Sequence, residues 1–207
     1  AYPAIFHTYP PTPSLISAGS QTDEGQLIFP GDTDTFEVRL GAGQTVAIRL
    51  TPTGSTLTGR VELLTAAGQS LADASAAGPG KMVGLAPVRI QEDGIYRIRF
   101  SAAAGSGAYK SDVAINAGYE SELLDVTLSN DQISTADHLN ATTVVLGEGA
   151  DRLASFGQVG AGDVDYFSID LQALQRLTIV AAPDFTAPLS LTLFDAAGHL
   201  LARSVTS

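Results

Sequence analysis

The side chains able to do chemistry in this 207-residue chain are mostly acids: Asp and Glu number 22, against 11 Lys and Arg, 3 His and no Cys. Without cysteine there is no disulfide framework, no thiolate nucleophile and no Cys-ligated zinc site. His7, His138 and His199 stand far apart, none near a second histidine at metal-ligand spacing. No serine sits in a G-x-S-x-G elbow, and Asp73, Asp93 and Asp112 have no evident triad partner. GAGQTV at 41–46 reads as a hairpin turn, since no helix opens behind it to receive a phosphate. Two carboxylates meeting in space can hydrolyse a glycoside, yet a chain with no Trp offers little to grip a sugar ring. The expectation is a protein that is not an enzyme. Its acids suit other tasks. They can gather divalent cations through hard oxygen ligands. They can also cap turns, as Asp32 and Asp163 would by accepting backbone hydrogen bonds just after a glycine.

The net charge of −11 repels phosphate backbones and anionic lipid, which argues against nucleic-acid partners and peripheral membrane anchoring. No apolar run approaches the ~20 residues of a membrane span. The chain opens at Ala1, not Met, as expected of a mature or trimmed product. With 44% hydrophobic residues, largely aliphatic, there is material for small cores.

These acids must be positioned by strands. Residues 1–19 carry Pro3, Pro10, Pro11 and Pro13, which exclude a helix and suggest an extended leader packed through Tyr2, Phe6 and Tyr9. Beyond it the pattern has period two. DTFEVRL (34–40), TVAIRL (45–50), RVELL (60–64), IYRIRF (95–100) and YKSDVAI (109–115) alternate apolar and polar residues. Such alternation predicts half-buried antiparallel strands. Gly- and Asp-rich clusters at 31–32, 41–43, 54–55, 67–68, 93–94 and 105–107 separate them, as in a sandwich or barrel.

The chain also repeats itself. GDTDTFEVRL (31–40) recurs as GDVDYFSIDL (162–171), and Gln44 recurs as Gln175, both offset by 131 residues. VELLTAAGQSLA (61–72) recurs as LTLFDAAGHLLA (191–202), offset by 130. Order-preserving matches across three strands indicate two copies of one design. The segments 94–100 and 108–115 have no second counterpart, so the second copy is expected to lack its closing strands and to need a strand from elsewhere. A missing C-terminal continuation of a trimmed longer protein, the leader 1–19 and another chain are the completions to consider. The expected organisation is leader 1–19, first β-sandwich 20–117, linker 118–128 and an incomplete second β-sandwich 129–207.

The order GDxDxF, a GQ turn, a strand ending in AAGxxLA, then GIYRIRF and GAYKSDVAI, with SNDQISTADHL (129–139) ahead of the second copy, resembles the bacterial pre-peptidase C-terminal domain. Relatives of that family include the collagen-binding domains of clostridial collagenases. The resemblance implies tandem jelly-roll-like antiparallel β-sandwich domains in an all-β chain. It also implies an extracellular or cell-surface bacterial setting and a non-catalytic accessory or adhesion role. The partner would be an extracellular polymer or another protein chain. Calcium is the implied cofactor, at positions matching Asn130, Asp131, Asp163 and Asp165. Against it, only Glu120 and Glu122 stand upstream as glutamates, some distance off. The alternative to calcium is simple turn-capping; the alternative to an accessory role is a structural subunit assembled through strand complementation. For polymer binding the tyrosines are the candidates: alternation puts Tyr96 in the core, leaving Tyr109 and Tyr119. The Asn140-Ala-Thr142 sequon is expected to be incidental in a bacterial protein.

Overall fold

The computed structural model describes residues 19–125, 127–147, 149–182 and 189–205. The leader's Tyr2, Phe6 and Tyr9, and its part as a strand donor, lie outside them. The chain divides into two compact units, Ala1–Ile169 and Asp170–Ser207.

In the first unit the period-two segments become strands β1 (Gly19–Leu27), β2 (Thr33–Leu40), β3 (Thr45–Pro52), β4 (Thr58–Thr65), β5 (Ser70–Ser75), β6 (Val83–Arg89), β7 (Gly94–Ala104) and β8 (Gly107–Ile115). They form two antiparallel four-stranded sheets, in the orders β1-β8-β3-β6 and β2-β7-β4-β5. The expected all-β sandwich class is observed. Alternation explains the core between the sheets: Val38, Leu40, Val61, Leu63, Ile98 and Phe100 come from one, and Val46, Ile48, Leu50, Val113 and Ile115 from the other. The outward-facing residues of β7 pair instead with acids, Arg97 with Glu37 and Arg99 with Glu62. Strand β1 escaped the pattern because GSQTDEGQL is mostly polar; its place comes from backbone pairing to β8 along its whole length.

One feature departs from simple alternation. Ala47 in β3 and Ala114 in β8 point away from this core, yet both are fully buried in a second cluster with Ala117 and Tyr119. Leu123, Leu124, Ala154 and Phe156 pack against that cluster. The central strands are therefore covered on both faces, and their small side chains allow the close approach. Gly84 serves the same end, since a Cβ there would stand 2.3 Å from Leu124 Cδ2. The covering strap begins with β9 (Gly118–Tyr119) and a 3₁₀ turn at Ser121–Leu123. It continues through β10 (Asp137–His138), β11 (Val144–Gly147), β12 (Ala150–Arg152), β13 (Ser155–Phe156) and β14 (Phe167–Ser168). β13 pairs in parallel with β9, and β14 in parallel with β10.

The expected boundaries need correction. Residues 118–128 include the buried Tyr119 and Glu120, so they are no linker. Residues 129–169 belong to the same compact unit as the first sandwich, and the division falls after Ile169.

Among the described residues, the second unit holds one antiparallel hairpin, β15 (Ser190–Phe194) and β16 (Leu200–Val205). The repeat nonetheless persists in local geometry. Gly31 and Gly162 share φ +85°, and Gly68 and Gly198 have φ +85° and +83°. The Gln44 and Gln175 side chains each accept a 2.6 Å bond from the amide three residues back.

Two-sided burial gives a direct test. Replacing Ala47 by Leu should cost about 1–3 kcal/mol in chemical denaturation, the usual penalty for overpacking a filled core. A solvent-facing strand position would accept the same change within about 0.5 kcal/mol.

Candidate metal centre

The strap brings acids together that lie far apart in sequence. Three segments converge: the 3₁₀ turn after β9, the stretch before β10, and the Gly162-Asp163 turn before β14. Within them Glu122, Asp163 and Asp165 each offer an oxygen, and these atoms lie within 4.8 Å of one another.

Hydrogen bonding holds this constellation. Asp163 caps its turn, accepting Gly160 N through Oδ2 at 3.1 Å and Val164 N through Oδ1 at 3.0 Å. Asp137 accepts Ser121 N at 2.8 Å and the Asn130 side-chain amide at 3.2 Å, tying the glutamate turn to the lead-in segment. The Asn130 carbonyl receives Tyr166 N at 2.9 Å. Glu120, 1% exposed, accepts Gln158 N at 2.6 Å through Oε1. Among the described residues its other oxygen has no hydrogen-bond partner, nor does Asn130 Oδ1 or Asp165 Oδ1, and all three atoms are buried.

Electrostatics follow from this crowding. Burial pushes the Glu120 carboxyl up to about 7, partly opposed by the Gln158 amide and reinforced by Asp165, Glu122 and Asp137. Burial likewise raises Asp165 to about 6, with Asp163, Glu122, Asp131 and Asp137 adding repulsion. The donors fit a hard cation: all are oxygens, they carry excess negative charge, and buried acceptors are left unbonded. Glu122, Asp163 and Asp165 would hold such an ion, and its charge would relieve their repulsion.

The acids open onto a cleft of ≈ 520 Å³ walled by Met82, Leu123 and Leu128. Of the four positions expected from the sequence, Asp163 and Asp165 enter the cluster. Asn130 lies buried beside Asp137, and Asp131 is exposed and acts on Asp165 through its charge. Of the two upstream glutamates, Glu122 joins the cluster, while Glu120 lies buried nearby and feels the charge of Asp165 and Glu122. Their sequence distance is closed by the β9–β13 pairing, a contact no local pattern announces.

At the equivalent turn of the first copy Asp32 caps as Asp163 does, accepting Ile28 N and Thr33 N, and the difference lies at the next aspartate. Asp34, the counterpart of Asp165, accepts the Tyr109 hydroxyl at 2.7 Å; burial raises its pKa.

That bond bears on the tyrosines, where the expectation of an exposed aromatic patch is corrected. Tyr109 is 1% exposed: its ring packs on Phe100 and over Gly25, its partner in β1, where a Cβ would clash at 2.4 Å. Its parity with Val113 and Ile115 is a core-face signal that the expectation of an exposed ring passed over. Tyr119 is 8% exposed, with Phe156 on one side and the Arg49 guanidinium 5.2 Å from its ring centre. Neither ring is available to a polymer.

Other candidate chemical groups serve the scaffold. Asp112 pairs with Arg49, Asp73 with Arg60, and Asp93 accepts Ala42 N. His199 bonds Asp195 within its own turn, and His138 meets Ser168 across the β10–β14 bridge. Thr142 of the sequon is buried, its hydroxyl bonded to Leu139 O and Ala154 N. His7 lies outside the described residues. No helix among the described residues is long and apolar enough to cross a membrane.

No protein-family model matches the chain, and no curated protein matches it. Solved structures are similar to part of it. Aeromonas hydrophila PliG, a periplasmic inhibitor of g-type lysozyme, is 16% identical, over 53% of this chain and 96% of that one, with a TM-score of 0.37. The pre-peptidase C-terminal domain of collagenase from Bacillus anthracis is 21% identical, over 45% and 88%, with a TM-score of 0.35. The C-terminal CBM6 of LamC from Zobellia galactanivorans is 16% identical, over 49% and 92%, with a TM-score of 0.32.

The raised carboxyls make stability depend on pH. Free carboxyls titrate near ~4, whereas Glu120 and Asp165 take protons near 7 and 6 in the fold. The folded state therefore binds more protons across this window, and stability rises as pH falls from 8 toward 5. In metal-free buffer the thermal midpoint should rise over that range. Glu120→Gln should flatten the portion between pH 8 and 6.5.

Proposed function

We propose that this chain is a non-catalytic accessory module of adhesion type, from a secreted or surface bacterial protein, with calcium at the Glu122, Asp163 and Asp165 cluster. The observation that carries the reading is the meeting of this acidic triad with buried, unbonded carboxyl oxygens of Asp165 and Glu120. In the first copy a tyrosine hydroxyl satisfies the equivalent Asp34. In the second, a cation would satisfy Asp165. Bound there, calcium would neutralise the two segments that carry Glu122 and Asp163–Asp165 and tie them together beside the sandwich. The two-sheet sandwich and the resemblance to pre-peptidase C-terminal domains support an accessory role. So does the use of Asp73, Asp93, Asp112, His138 and His199 in scaffold contacts. With Tyr109 and Tyr119 inside, the proposed contact surface is the cleft beside the cation, where Met82, Leu123 and Leu128 offer apolar area next to charge.

Titration calorimetry tests the cation. Calcium should bind with a Kd on the order of 10⁻⁴–10⁻³ M, the range of extracellular modules. It should also reverse the pH trend, because only ionised carboxylates bind it. Glu122→Gln or Asp165→Asn should weaken binding tenfold or more, while Asp32→Asn in the first copy leaves it unchanged. No heat and no thermal shift with calcium would remove the cation from the proposal. Co-sedimentation with collagen, polysaccharides and cell envelopes tests adhesion separately. Retention on one of them, diminished by Glu122→Gln, is expected; failure on the whole panel would remove the adhesive role.

A further inference from the structure

Asp137 lies outside the cluster of Glu122, Asp163 and Asp165, yet it is bonded to every segment that converges there. Its Oδ2 accepts Ser121 N at 2.8 Å, at the start of the 3₁₀ turn that carries Glu122. That turn has no side-chain cap of its own at Glu120, so Asp137 supplies the acceptor from another segment. The same oxygen accepts the Asn130 side-chain amide at 3.2 Å. A carboxylate only accepts, so Asn130 turns its Nδ2 toward Asp137 and its Oδ1 away. Asn130 is 0% exposed, and its Oδ1 has no hydrogen-bond partner among the described residues. The Asp137 backbone holds the third segment. Its N–H donates to Tyr166 O at 2.9 Å, one residue past Asp165, and its carbonyl accepts the Ser168 hydroxyl at 3.5 Å. Repulsion among the clustered carboxylates pushes the Glu122 turn outward in the ion-free chain, and the bond to Ser121 opposes it.

We propose that Asp137 is a positioning residue of the cation site. It holds the Glu122 turn and the Asn130 amide in register with Asp163 and Asp165, and does not itself ligate the ion. The proposal rests on the calcium reading above and concerns what keeps that site assembled. Groups that only orient a ligand are worth ~10–100-fold in metal affinity, and Asp137 orients two segments through one oxygen.

Calorimetric titration of the full chain with calcium, comparing Asp137→Asn with Asp137→Ala, tests it. Asparagine keeps an acceptor for Ser121 and Asn130 but drops the charge; alanine drops both. Asp137→Ala should weaken binding ~10–100-fold. Asp137→Asn should stay within about fivefold of wild type, the size of a screened charge. Equal losses in the two variants would make Asp137 a ligand or a charge partner and overturn the proposal. Unchanged affinity in Asp137→Ala would overturn it too, even with a lowered thermal midpoint in metal-free buffer, because that is a purely structural role. Ser121→Pro reaches the same bond from the other side, should Asp137→Ala fail to fold. Proline suits the first position of a turn, and Glu120 at φ −59° and ψ 155° already has the backbone that precedes it. This variant should weaken calcium ~10-fold, and adding it to Asp137→Ala should cost little more, since both break one bond. Undiminished binding by Ser121→Pro, or full additivity of the pair, would overturn the proposal. Wild type that takes up no calcium removes the cation site itself and this role with it. Uptake by wild type with undiminished binding in Asp137→Ala removes this role alone.

Discussion

The rest of this structure depends on the close approach of a strap to the outer face of β3 and β8. A sandwich of two four-stranded sheets normally leaves its outer faces to water. Here Ala47 and Ala114 are small enough, and Gly84 bare enough, for Tyr119, Leu124 and Phe156 to lie directly on the sheet. Arg49 adapts to the same cover, its guanidinium lying over the Tyr119 ring while its charge is met by Asp112. Once Tyr119 is seated, Glu120 and Glu122 follow by covalent connection. β13 beside β9 then brings the Gly162-Asp163 turn toward them.

Packing thus creates an electrostatic liability. Carboxylates that would be harmless on separate loops are held together with part of their solvation removed. The fold answers with backbone and amide donors at Asp137, Asp163 and one oxygen of Glu120, and leaves other oxygens without partners. In the first copy the same Gly-Asp-x-Asp turn creates no such excess, because Tyr109 reaches Asp34 from β8. The two turns differ in what surrounds them more than in their own residues.

The repeat makes this separable. Turn glycines, the glutamine that closes a turn on itself and the bulge in each hairpin recur with the same geometry in both copies. These are local devices, determined by a few adjacent residues, and they survive where the surrounding sheet does not. Leu174 shows the limit: it adopts φ +70° where the first copy places Gly43, so the turn shape persists against the preference of a branched side chain. Burial does not persist in the same way, because it requires the other strands.

The sandwich class, the strands of the first sandwich and the turn-capping aspartates were legible in the sequence. Each rests on period-two alternation or on turn chemistry within a few residues. Tyr109 was expected at the surface for its ring, although its parity with Val113 and Ile115 pointed to the core. Strand β1 was not legible, because its polar residues carry no burial signal and its pairing is made by the backbone. Nor were the burial of Tyr119, the compact boundary after Ile169 and the joining of Glu122 to Asp163 and Asp165. Those follow from a parallel pairing across more than thirty residues and from a sheet covered on both faces. Such contacts depend on which surfaces meet, and only the tertiary structure decides that.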